Sequence, residues 1–125
     1  MEKESILKRR AVEASEKAFA PHSKFKVGAS LITEDGEVFS GSNVEPITLS
    51  LGICAERNVV FQAVGSGHKK ITGIVIYTPT EEPTLPCGAC RELISEFGSD
   101  AEILSFTPTS EERNTIQDLL PKELE

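Results

Sequence analysis

The chain has little that would suit a membrane or a nucleic acid partner. Its N-terminus alternates charges and leads into no apolar run long enough for a signal peptide or a membrane span. It carries 13 Lys and Arg residues against 20 Asp and Glu, a net charge of −7. Because polynucleotide binding depends on clustered cations, this balance disfavours it. We therefore expect a cytoplasmic protein that binds a small molecule, with no membrane and no nucleic acid polymer as partner.

A disulfide framework is equally poorly supported, because the chain has three cysteines and no more. An odd number, with two in a Cys-x-x-Cys pair, fits a reducing compartment and metal or redox chemistry better. The length of 125 residues predicts one domain, residues 1–125. A hydrophobic content of 38% is ordinary for a protein with a single core.

Hydrophobic periodicity predicts four helices and four strands. Helices are expected at about 4–19, from 54 to 65, from 87 to 98 and at 116–120, the last capped by Thr115 and Asp118. Strands are expected at 25–32 and 37–41, joined by a turn at 34–36, and at 73–77 and 101–106. The segment 42–53 is expected to be a functional loop, and 107–113 a polar connection. The order predicts the α/β class: a three-layer α/β/α sandwich with a mixed central sheet.

Two short motifs hold every cysteine of the chain: Cys54-Ala55-Glu56 and Pro86-Cys87-Gly88-Ala89-Cys90. Their spacing could gather three thiolates and one carboxylate around a single metal ion. A zinc ion with four protein ligands is usually structural, whereas three leave a position for water, which the metal acidifies. Glu56 stands close enough to Cys54 to handle the protons of that water without being a ligand. A helix beginning at each motif would favour thiolate over thiol.

These residue types leave other interpretations open. The cysteines could be buried and inert, could hold a structural zinc ion, or could form a thiol redox pair at Cys87 and Cys90. Glu56 could merely complement a helix dipole. His22 and His68 lie in polar segments and are given no role.

Five collinear motifs strengthen the catalytic interpretation, and they cover nearly the whole chain. They are Ala20-Pro21-His22-Ser23-Lys24-Phe25-Lys26-Val27-Gly28-Ala29, Asn43-Val44-Glu45, Cys54-Ala55-Glu56-Arg57, Pro86-Cys87-Gly88-Ala89-Cys90-Arg91 and Leu119-Leu120-Pro121. In these motifs the sequence resembles the small, homotetrameric, zinc-dependent cytidine deaminases. The resemblance implies a cytidine deaminase-like fold, a homotetramer and hydrolysis of cytidine or deoxycytidine to uridine or deoxyuridine with release of ammonia.

The resemblance also implies a role for each matching residue. Cys54, Cys87 and Cys90 would bind one Zn²⁺ per chain, and Glu56 would shuttle protons while water attacks C4 of the pyrimidine. Arg57 would donate to the thiolate sulfurs and offset their charge. The expected substrate contacts are Asn43 and Glu45 to the sugar hydroxyls, Phe25 to the base ring and the Ala55 backbone to the base O2.

Four positions depart from the pattern of that family. Pro46 follows Asn-Val-Glu where Asn is usual, Leu49 stands where Tyr is frequent, and Glu92 replaces a common Gln and could pair with Arg57. The tail offers Leu124 where an aromatic residue often closes a neighbouring pocket. An alternative is therefore a deaminase of another aminated nucleoside or base, such as an aminonucleoside of the blasticidin S type.

Overall fold

The computed structural model describes residues 1–120, which form one five-stranded mixed sheet with helices on both faces. The strands are β1 (Gly28–Thr33), β2 (Val38–Ser42), β3 (Ile71–Tyr77), β4 (Glu102–Phe106) and β5 (Glu111–Thr115). The helices are α1 (Glu4–Glu16), α2 (Ala55–Gly65), α3 (Gly88–Phe97) and α4 (Ile116–Leu119), with a 3₁₀ turn at Leu49–Leu51.

The sheet has the strand order β2-β1-β3-β4-β5, in which β3 and β4 are parallel and the other pairs antiparallel. A parallel pair needs a crossover connection, and α3 supplies it. The two faces of the sheet belong to separate core clusters. Val75 and Leu104 pack with Leu7 and Ala11 of α1, whereas the core on the opposite face is built from α2, α3 and α4 with alternate strand residues. The predicted three-layer sandwich is therefore confirmed.

The close packing of α1 contributes to the complete burial of β1. All six residues of this strand are buried, because α1 covers one face and α2 the other. Two small residues make this possible. Gly28 lies against the backbone of Ala11, and the hydroxyl of Ser30 donates to the carbonyl of Leu7 at 2.5 Å.

Three predicted features differ from the structure. Helix α1 ends at Glu16 instead of Phe19, because Phe19 pairs its backbone with the loop beyond β2. The apolar residues at 59–61 and 63–64 predict a buried helix, because they cover most of its circumference, but Phe61 of α2 is 50% exposed. The segment predicted as a polar connection contains the start of β5, whose charged residues pair by backbone with β4 at the edge of the sheet.

The capping box of Thr115 and Asp118 is present as predicted at the start of α4. The predicted stop at Pro121 and the tail residue Leu124 lie outside the described residues. Within residues 1–120, none of the helices combines the length and hydrophobicity needed to cross a bilayer.

Candidate functional site

The three cysteines come together at the starts of α2 and α3. Cys54 and Cys87 are the residues immediately before these helices, and Cys90 lies in the first turn of α3. The sulfur of Cys90 is 2.8 Å from that of Cys54 and 3.4 Å from that of Cys87. Helix N-termini carry unpaired N–H groups and a partial positive charge, so both favour thiolates here. The predicted convergence of the two motifs is thus present.

The sulfur cluster fits a zinc ion after a small adjustment. Zinc binds thiolate sulfur at about 2.3 Å, which sets the sulfurs of a tetrahedral site about 3.8 Å apart. The sulfurs are packed closer than this, and no group of three or more His, Cys, Asp and Glu residues in 1–120 already has metal-binding geometry. Moving the sulfur of Cys90 about 1 Å away from that of Cys54 and about 0.4 Å away from that of Cys87 brings both pairs to ligand spacing. Three soft sulfur ligands suit zinc.

Glu56 is a buried carboxyl group beside these sulfurs. It lies in the first turn of α2 and is 7% exposed. Burial raises its pKa to about 7, and the negative charge of Cys54 adds to the effect. A carboxyl group that is uncharged for much of the neutral range can both donate and accept a proton.

Arg57 contacts the sulfur cluster directly, since its Nε donates to the sulfur of Cys54 at 3.3 Å. The pKa of Cys54 is lowered to about 5, chiefly by the hydrogen bond from Cys90 and then by Arg57. The same contact raises the pKa of Arg57. Glu92 is exposed, and the described part of the chain contains no ion pair between Glu92 and Arg57, which the sequence had left open.

A cleft of about 330 Å³ opens beside the cysteines. It is lined by Phe25, Asn43, Glu45, Cys54, Glu56, Arg57 and Cys87, together with Val27, Val44, Leu49, Gly52, Ile53, Thr84 and Leu85. Two predicted site residues do not line it: Cys90 and Ala55 are fully buried beneath the cleft. A larger depression of about 650 Å³ between α1 and β2 contains none of the predicted site residues.

Comparison with known proteins identifies relatives of this chain. The sequence model for the cytidine and deoxycytidylate deaminase zinc-binding region matches residues 1–105. The chain belongs to this family. It is 41% identical over 111 residues to a cytidine deaminase of Sporosarcina psychrophila, covering 87% of this chain and 82% of that protein. The crystal structure of cytidine deaminase from Burkholderia pseudomallei superimposes with a TM-score of 0.89 at 38% identity, covering 99% of this chain and 100% of that one.

Membership of the deaminase family confirms three of the predictions from sequence: the fold, the zinc cofactor and the enzyme class, a nucleoside deaminase and therefore a hydrolase. A blasticidin-S deaminase of Bacillus cereus is also related, at 32% identity over 106 residues, which cover 78% of this chain and 76% of that protein. A deaminase of the alternative substrate class is therefore also related to this chain, at a lower identity than the cytidine deaminase of Sporosarcina psychrophila.

The two residues predicted to bind the sugar both hold the segment that carries Phe25. The side-chain oxygen of Asn43 accepts the N–H of Val27 at 2.9 Å, and its amide nitrogen donates to the carbonyl of Phe25 at 2.8 Å. The carboxylate of Glu45 accepts the hydroxyl of Ser23 at 2.5 Å. The role of Ser23 could not be predicted from the sequence, because a hydrogen bond between distant loops leaves no periodic signal.

Arg91 is a second residue whose contacts could not be predicted from the sequence. Its Nε donates to the carbonyl of Pro86 at 2.7 Å, and its Nη1 donates to the carbonyl of Leu119 at 2.8 Å. It therefore ties the approach to Cys87 to the end of α4. Its position directly after Cys90 was the available signal, but the partner at Leu119 could not be found by spacing.

Proposed function

We propose that the chain catalyses the hydrolytic deamination of cytidine and deoxycytidine to uridine and deoxyuridine, with release of ammonia. The observation that carries the proposal is the meeting of Cys54, Cys87 and Glu56 at one cleft of about 330 Å³. This volume lies in the range of small-molecule sites. The cleft is also lined by Phe25, Asn43 and Glu45, three of the four residues that the family resemblance assigns to base and sugar.

Cys54, Cys87 and Cys90 are proposed as the ligands of one Zn²⁺ per chain. The metal supplies Lewis-acid activation of a water molecule, with three protein ligands leaving a position open. Glu56 would accept one proton of the water whose oxygen adds to C4 of the pyrimidine, and would pass this proton to N3. It would then take the remaining proton of the hydroxyl added at C4 and deliver it to the amino group, so that the C4–N bond breaks, ammonia leaves and C4 keeps the oxygen as a carbonyl. The hydrogen bond from Arg57 to Cys54 offsets the charge of the thiolates.

Four residues are proposed to hold the substrate. Phe25 packs against the pyrimidine ring, and the backbone of Ala55 hydrogen-bonds the base O2. Asn43 and Glu45 bind the sugar hydroxyls. Support comes from position, since Phe25, Asn43 and Glu45 line the same cleft as Glu56.

Glu56→Gln tests the proposal, because the amide keeps the shape of the side chain but cannot shuttle protons. We expect deamination of cytidine to fall about 10²- to 10⁴-fold, the contribution typical of general acid–base catalysis. Zinc content should remain one ion per chain. Glu96→Gln is the matched control, an exposed residue of α3, and should keep full activity. Undiminished deamination in Glu56→Gln would refute the mechanism.

A second candidate keeps the chemistry and changes the substrate to a blasticidin S-type aminonucleoside. The related blasticidin-S deaminase favours it, as do Pro46 and Leu49, of which Leu49 lines the cleft and is 58% exposed. A panel of aminated nucleosides and bases distinguishes the two. Cytidine turning over fastest by a wide margin would end this alternative.

The biological assembly is proposed to be a homotetramer of single-domain chains, in the cytoplasm and in pyrimidine salvage. Support comes from the apolar side chains around the 3₁₀ turn, where Ile47 is 95% and Leu51 78% exposed. Exposed apolar patches of this kind mark association surfaces. Sedimentation of a stable monomer at micromolar concentration would contradict the proposed tetramer.

A further inference from the structure

The carboxylate of Glu45 is held by two consecutive residues of the loop that follows α1. Its Oε1 accepts the backbone N–H groups of His22 at 3.2 Å and of Ser23 at 3.0 Å. Its Oε2 accepts the hydroxyl of Ser23 at 2.5 Å. These donors, led by the Ser23 hydroxyl, lower the pKa of Glu45 and keep the group ionised at neutral pH.

The hydroxyl of Ser23 also holds the backbone at Phe25. Its oxygen accepts the N–H of Phe25 at 3.1 Å, while Asn43 binds the Phe25 carbonyl. Lys24, which lies between Ser23 and Phe25 in the chain, adopts a φ of 60°, a left-handed conformation that is unfavourable for a residue with a side chain. Such a conformation persists when surrounding contacts hold it. Ser23 therefore connects the cleft-lining carboxylate to the cleft-lining ring.

Acceptor capacity limits what Glu45 can still bind. An ionised carboxylate has about four acceptor positions, two on each oxygen. Both positions on Oε1 are filled by backbone N–H groups, and one on Oε2 is filled by Ser23. One position on Oε2 is left for a further donor. Because Glu45 lines the cleft, a ligand hydroxyl there can use it without displacing Ser23.

We propose that Ser23 is a positioning residue that orients the carboxylate of Glu45 so that its remaining acceptor position receives one sugar hydroxyl of the substrate. The inference rests on the proposed function, because it assumes a nucleoside in the cleft. It assigns Ser23 to recognition of the sugar, with no part in proton transfer.

Ser23→Ala, assayed on two nucleosides, tests the inference. Removing one hydrogen bond to a charged group predicts that KM for cytidine rises about tenfold with kcat within twofold of wild type. The inhibition constant of 2′,3′-dideoxycytidine, which lacks both ring hydroxyls, should stay within twofold. Measuring it as an inhibitor makes the result independent of its turnover. Ser23→Thr restores the hydroxyl and should recover most of the loss.

The controls separate positioning from a purely structural role. Ser99→Ala, an exposed serine outside the cleft, should match wild type on both nucleosides. If Ser23→Ala weakens cytidine and the dideoxynucleoside equally, Ser23 merely supports the loop and the inference is wrong. Unchanged KM for cytidine would overturn it as well. A wild-type protein inactive on every nucleoside would instead overturn the proposed function.

Discussion

Gly28 is a position at which the backbone of α1 packs directly against the sheet, and Gly28→Ala is predicted to destabilise the protein strongly. A Cβ atom at residue 28 would lie 1.9 Å from the carbonyl oxygen of Ala11 and 2.6 Å from the backbone nitrogen of Ser15. These are backbone atoms of a regular helix, which cannot turn aside as a side chain could. The whole of α1 must therefore retreat from the sheet.

The cost can be worked out from two contributions. Overpacking a well-packed core costs about 1–3 kcal/mol, and a clash with backbone belongs at the upper end. Retreat of α1 also breaks the buried hydrogen bond from Ser30 to the carbonyl of Leu7, worth about 1 kcal/mol. The free energy of unfolding should fall by about 3–4 kcal/mol. With a urea m-value of about 2 kcal/mol/M, the midpoint falls by about 1.5–2 M.

Gly65→Ala is the matched control for this experiment. Gly65 is the last residue of α2, its φ is not positive, and nothing lies within 4 Å of a Cβ built there. Alanine should therefore stabilise by up to about 1 kcal/mol. Both variants are compared with wild type at equal protein and zinc concentrations, because association and metal shift the midpoint. A loss under about 0.5 kcal/mol in Gly28→Ala would refute the packing argument.

Two further predictions concern side chains that join distant segments. Arg91→Ala removes the donors to the carbonyls of Pro86 and Leu119, so urea unfolding should show a loss of about 1–3 kcal/mol, and dialysis against a chelator should strip zinc faster. An unchanged midpoint would contradict this bridging role. The hydrogen bonds from Arg113 lower the pKa of Glu4 to about 2, so the pair stabilises the fold above Glu4's ordinary pKa of 4.5 and loses this effect as pH falls towards 2. Because both side chains are partly exposed and solvent screens the pair, Arg113→Gln should lower the urea midpoint only slightly at pH 7, and a loss that persists undiminished at pH 2 would be inconsistent with the pairing.

Much of the fold follows from local patterns in the sequence. The stripe of Leu7 and Ala11 predicts the buried face of α1, and the apolar run at 73–77 predicts the central strand β3. The last strand is different, because Glu111–Thr115 has neither alternation nor hydrophobicity. It is held as an edge strand by backbone pairing with β4 and by ion pairs to α1, of which Arg113 to Glu4 is the closest. Such contacts join residues far apart in sequence and leave no periodic pattern.

The candidate site also has one part that could be predicted from the sequence and one part that could not. The convergence of Cys54, Cys87 and Cys90 could be predicted, because cysteine is rare in the chain and its spacing carries the chemistry of a metal site. The link between Glu45 and Ser23 could not, since both are common loop residues. Their contact depends on how the segment after α1 packs against the residues that follow β2. The backbone N–H of Glu45 donates to the carbonyl of Phe19 where these two segments meet.

The chain path explains why cysteines from separate motifs meet. Helix α2 leads into β3, and β3 leads into α3, so the two helices run in similar directions with their N-termini near the C-terminal end of β3. Both partial positive charges therefore act on one cluster of sulfurs. In the proposed site, three thiolates and one Zn²⁺ would carry a net charge of −1, which would weaken the acidification of bound water unless it is offset. The two helix ends and the guanidinium of Arg57, whose Nε lies 3.3 Å from the Cys54 sulfur, would supply that offset.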